Sequence, residues 1–133
     1  MKCSCQIETD HDEESEMIFE KDLTIFKNQQ RCCECGVELT EGDQYRKEIV
    51  RHDYEAHTYR TCLDCISIRD NLFCGWTWTT LLDDLREEIE WNGGISESCM
   101  VALTAIARAR TCKMIEDHWK RNDRWAQEVM GEN

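Results

Sequence analysis

The sequence predicts an α+β fold: a short β-hairpin and helix organised around cysteines, joined to a C-terminal helical hairpin. Three observations predict it. Cysteine pairs with two intervening residues stand at Cys32/Cys35 and Cys62/Cys65, with 26 residues between them. Within that interval "QYRKEIVRHDYEAHTYR" sets Tyr, Ile, Val and Thr around a polar middle, as a β-hairpin does. Beyond it, "TLLDDLREEIEWNGG" and the stretch from Ser96 to about Met130 space apolar residues by three and four, as amphipathic helices do.

A chain of 133 residues has the size of one domain. Its charged fraction of 33% and mean hydropathy of -0.68 leave limited apolar surface to drive folding, so a cross-linking element is expected. Three parts are expected in one compact unit: an acidic N-terminal segment over residues 1–22, a cysteine module over 23–78 and a helical part over 79–133. The first is read as irregular unless Cys3 and Cys5 tether it. In the module, "LTIFK" reads as a short strand and "CLDCISIRDNLF" as a helix beginning within the second cysteine pair. "CGWTWT" follows, with Trp76 and Trp78 on one side if extended.

The helical part opens with a helix after Thr80, which is positioned to cap it; Asp83 completes a capping-box-like pattern. Leu81, Leu82, Leu85 and Ile89 form its apolar stripe and Asn92-Gly93-Gly94 ends it. In the final segment Ala102, Ile106, Ala109, Cys112, Ile115 and Trp119 recur at helical spacing, with a break expected near Thr104, a residue able to cap a fresh helix.

Two residues between cysteines let a tight turn aim both sulfurs at one point, and two such pairs bring four thiolates to a tetrahedral Zn²⁺. Gly36, directly after Cys35, permits the positive φ that such a turn requires. Cys32, Cys35, Cys62 and Cys65 are therefore the expected ligands, with Cys33 outside the set. A hairpin between the pairs and a helix opening at the second describe a treble-clef-like zinc finger; a zinc ribbon plus helices is the alternative. Four thiolates leave no open position, so the metal is expected to be structural.

Cys3 and Cys5 need partners from elsewhere. A second zinc site built from Cys3, Cys5, Cys74 and Cys112 would pin the polar N-terminus to the helical part. Cys33, Cys99 and the four histidines are other candidate partners.

No apolar stretch at the N-terminus reads as a signal peptide and no segment is long enough to cross a membrane, so a reducing, cytoplasmic setting is expected, in which paired cysteines favour metal over disulfides. The formal charge of -12 disfavours nonspecific attachment to phosphate backbones and favours a basic partner surface. Acidic residues concentrate between Glu8 and Asp22 and in "DDLREEIE", where Asp83, Asp84, Glu87 and Glu88 are candidate contacts. The final segment mixes Arg108, Arg110, Lys113, Lys120, Arg121 and Arg124 with Trp119 and Trp125 and with carboxylates. Arg121, Arg124 and Trp125 join the candidate interaction surface, and the basic stretch supplies an alternative reading as a nucleic-acid-binding regulator. His52, Asp53 and His57 lack the further residues of a nuclease centre, and no phosphate-cradling glycine loop is present, so no catalytic residue is assigned and a non-enzyme is expected.

The order of "CSC", "CCECGVELTEGDQY", "TCLDC" running into "ISIRDNLFCGW", "LLDDLREEI" and "ALTAIARARTCKMIEDHW" resembles small zinc-finger proteins encoded by bacteriophages and prophages. The resemblance spans Cys3 to Trp119. It implies phage origin and a role inside the host cell, and it carries no particular activity with it. The expected function is that of an accessory protein that binds a host protein, inhibiting or redirecting a nucleic-acid-handling or defence factor through an acidic surface.

Overall fold

The computed structural model describes Ile7 and residues 15–130. The fold is mixed α+β, with a small antiparallel sheet and helices. The strands are β1 (Glu16–Thr24), β2 (Gln30–Arg31), β3 (Glu38–Leu39), β4 (Gln44–His52) and β5 (Glu55–Cys62). The helices are α1 (Leu63–Leu72), α2 (Leu81–Asn92), α3 (Glu97–Met100) and α4 (Ala105–Met130). β1, β4 and β5 form one antiparallel sheet in that order, and β2 pairs with β3 in a separate ladder.

The central hairpin forms where the sequence places it. Its turn residues Asp53 and Tyr54 both have positive φ, 49° and 68°, as two-residue turns that follow the right-handed strand twist require. Neither is glycine, which is why the turn is weakly marked in the sequence.

β1 differs from expectation. It begins at Glu16, inside the stretch read as irregular, and ends at Thr24, so most of "LTIFK" lies beyond it. All its residues but Leu23 are exposed, so it shows no buried face to read as alternation. Its ladder runs from Glu16 opposite Arg51 to Thr24 opposite Gln44, with an irregularity between Met17 and Phe19. The backbone ladder, supplemented by Arg46 to Asp22 at 2.8 Å, holds it in place.

α1 crosses one side of the sheet and brings a charge with it. Arg69 donates to both carboxylate oxygens of Glu48 on β4, at 2.8 and 3.3 Å, with the two side chains 3% and 0% exposed. The guanidinium lies 4.4 Å from the Trp76 ring centroid, and Trp78 Nε1 donates to Glu48 at 3.3 Å while its ring stacks on Tyr59. Trp76 and Trp78 meet edge to face, both serving this buried pair.

The apolar core lies between α1 and the helical part, where Ile68, Leu72, Leu81, Leu85, Ile89, Cys99, Leu103 and Ala107 are buried together. α2 ends as predicted, with Gly93 in the left-handed region at φ 78° and its N–H bonded to Ile89 O. The break at Thr104 is also present. Its hydroxyl accepts from Ala107 N–H and donates to Asp64 on α1 at 2.7 Å, fixing the start of α4 against α1. Ile7 bridges to Phe73 in parallel fashion, its N–H bonded to Leu72 O and its carbonyl accepting from Cys74 N–H. No helix among the described residues is long and apolar enough to cross a membrane.

Candidate metal centre

The first knuckle is built by the turn between β2 and β3. Gly36 N–H bonds Cys32 O at 3.0 Å, Cys32 N–H bonds Val37 O, and Gly36 takes φ 74°, the conformation for which a glycine is suited. The second pair sits where β5 runs directly into α1: Cys62 is the N-cap and its sulfur accepts from Cys65 N–H. The contact between β2 and β5 closes the two knuckles on each other. Cys33 N–H donates to Arg60 O at 2.8 Å, and Cys62 N–H points at Cys32 Sγ at 3.4 Å.

As a result the sulfurs of Cys32, Cys35, Cys62 and Cys65 all lie within 4.8 Å of one another, close enough to hold a metal ion. Three of the four residues are buried and Cys35 is half-buried. The donor set fits a metal on its chemistry: four soft sulfurs converge, Cys32 and Cys62 receive backbone N–H groups, and the Arg110 guanidinium reaches Cys65 Sγ at 3.6 Å, favouring negative charge there. Hydrogen bonds from the neighbouring thiols, Cys35 first and then Cys62 and Cys65, hold Cys32 below the ordinary thiol range.

Cys33 faces away from the cluster. Its sulfur contacts Thr61 Oγ1 at 3.4 Å, and burial pushes its thiol up to about 12. A thiol held neutral at physiological pH is a poor nucleophile.

Glu34, in the middle of the same knuckle, was invisible to sequence reasoning. Its carboxylate accepts from Thr79 N–H at 2.9 Å and Leu81 N–H at 3.1 Å, capping α2 from 45 and 47 residues away. Thr80 is the N-cap by position, yet its hydroxyl bonds Asp84 and Thr77 O instead of making the expected capping box with Asp83. Burial lifts the Glu34 carboxyl above its ordinary value against the pull of those two N–H groups. The metal knuckle and the helical part are thereby one mechanical unit. Glu34→Ala strands two amides at a helix N-terminus and is expected to cost about 1–2 kcal/mol. Urea unfolding checks it; Glu34→Gln, which keeps an acceptor, should lose less.

Of the other candidate residues, Cys3 and Cys5 lie outside the described residues. Cys74 and Cys99 are disulfide-bonded, whereas Cys112 is exposed and a free thiol. On α2, Asp83 pairs with Arg86, Asp84 accepts from Thr80, and Glu88 accepts from Asn92. Arg121 reaches Glu90 at 3.7 Å, so it joins α4 to α2, while Arg124 and Trp125 are exposed. The basic stretch of α4 is largely engaged within the chain: Arg108 bonds the carbonyls of Met100, Val101 and Leu103, Arg110 meets Cys65, and Lys113 faces Asp117. The chain matches no family model, no curated protein and no solved structure.

Proposed function

We propose that this chain is a zinc-stabilised accessory protein, of the phage-encoded kind it resembles, that works by binding a basic surface on a host protein. Zn²⁺ suits four converging thiolates in a closed tetrahedron, and the hairpin and following helix suit a treble-clef-like finger. Such a metal stabilises the fold and takes no part in chemistry.

The observation that carries the binding role is aromatic. Trp91 at the end of α2 is 81% exposed and Trp119 on α4 is 57% exposed. The Trp119 indole donates to Gly93 O, two residues beyond Trp91, so both rings belong to one end of the α2–α4 pair. Glu87 and Glu90 on α2 are exposed on the same helix. Tryptophans left in water beside carboxylates are what a hot spot for a basic, partly apolar partner requires. A lysate of the host bacterium passed over the immobilised chain should yield a retained partner. Trp91→Ala with Trp119→Ala should weaken it at least tenfold without changing metal content; an unaffected affinity, or no partner, defeats the reading.

A second zinc ion at the N-terminal cysteines belongs to the same proposal, and it requires that Cys74, disulfide-bonded in the structure as Cys99 is, be reduced to the thiol. Metal analysis of protein purified under reducing conditions should give two zinc ions per chain, falling to about one in Cys3→Ser and Cys74→Ser. Cys112→Ser and Cys99→Ser then decide which of those two residues completes the set. One zinc per unsubstituted chain would remove the second site.

A further inference from the structure

The side of the sheet away from α1 carries a row of cations. Lys21 on β1 stands directly opposite Lys47 on β4, and Lys47 directly opposite Arg60 on β5. Cross-strand partners share a face, and strands lie about 4.8 Å apart, so three positive charges stand side by side across the sheet. The next row on the α1 side is neutralised: Arg46 binds Asp22 and Asp70. So is Arg51 at the far end of the open side, by Glu16 at 3.6 Å. Among the described residues, none of the Lys21, Lys47 and Arg60 side chains forms an ion pair or side-chain hydrogen bond.

Like charges placed directly opposite destabilise a sheet. Carboxylates are not scarce, since the chain has 28 Asp and Glu against 16 Lys and Arg. An uncompensated row in so acidic a protein is therefore a local cost with no folding benefit, the pattern expected of a surface that meets an anion.

An aromatic side chain lies beside the row. Phe19, one row along on the same side opposite Ile49, is 38% exposed. Duplexes hide their base faces, and acidic peptides have none to offer. A single strand presents both phosphates and unstacked bases.

We infer that the face of the β1–β4–β5 sheet away from α1, through Lys21, Lys47 and Arg60 with Phe19, binds single-stranded nucleic acid. This goes beyond the protein-binding reading and uses a different surface, so either can fail alone. The probe is a fluorescein-labelled oligothymidine of roughly 15 nucleotides, titrated with the zinc-loaded full chain at low salt. Anisotropy should rise, and log affinity should fall with log salt at a slope of about -2, as for three phosphates on a single strand. Lys21→Gln/Lys47→Gln/Arg60→Gln should weaken binding at least tenfold while leaving the thermal midpoint unchanged or higher, because like-charge repulsion has been relieved. Arg121→Gln/Arg124→Gln should bind as the parent does. If the triple variant fails to fold, each single variant should lower the salt slope by about 0.7. The inference is overturned by no binding at low salt, by binding that survives the cation substitutions, by equal loss in the Arg121/Arg124 variant, or by a polyglutamate peptide competing as well as the oligonucleotide.

Discussion

Replacing any one of Cys32, Cys35, Cys62 and Cys65 by serine is expected to unfold the chain. The expected size follows from comparing two energies. Structural zinc bound by four thiolates contributes roughly 10–16 kcal/mol in small finger domains near neutral pH, whereas a domain of this size has a net stability of about 5–15 kcal/mol. The knuckle ladder β2–β3 is two residues long on each strand, too short to persist alone, and Leu39 is its only buried side chain. On the proposed zinc-bound reading, the metal converts those turns into a scaffold. Chelation should give the same result as substitution. Acid should do so too: zinc ligands must be deprotonated, so stability held by the metal is present while the thiolates persist and is lost as falling pH protonates them. Far-UV circular dichroism with zinc quantified in parallel reads all three. Cys33→Ser is the control and should keep its zinc, because that sulfur faces Thr61 and not the cluster. A Cys35→Ser chain that melts as the parent does would show that the cluster is not what holds the fold.

What could be read from the sequence was what depends on neighbours along the chain. Cys-x2-Cys spacing, the positive φ at Gly36, the helix opened by Cys62 and the cap at Thr104 each involve residues within four positions of one another. The fold class followed from these. β1 was missed for the opposite reason. Its partners are 20 to 35 residues away on β4 and it lies exposed at the edge of the sheet, so neither periodicity nor hydrophobicity marks it. Glu34 shows the same limit at the site. Its acidic type suits a helix N-terminus, but the helix it caps begins beyond the hairpin and α1, and no local pattern connects the two. The row formed by Lys21, Lys47 and Arg60 appears only once β1 is placed in register, since in sequence these residues lie 13 to 39 positions apart.

Removing one half of the buried Glu48–Arg69 pair should be the most damaging change away from the metal. The carboxylate is fully enclosed by the sheet, α1 and the tryptophan loop, so Arg69→Ala leaves a charge whose other polar contact is the Trp78 indole. Breaking such a pair costs about 3–5 kcal/mol, a large share of total stability. The loss has a second part, because the guanidinium also fills the space against the Trp76 ring. Glu48→Ala should be comparably harmful, stranding a cation that is 3% exposed. The pair itself is a different matter. Arg69→Met with Glu48→Leu replaces both charges by apolar groups of similar volume, which is often neutral or stabilising. Urea unfolding of the two single variants and the double variant forms a thermodynamic cycle. The singles should each lower the midpoint sharply, and the double should recover most of the loss. If it recovers nothing, the pair supplies stability that packing cannot replace. If the singles are mild, water reaches the site and the enclosure of Glu48 is less complete than its geometry indicates.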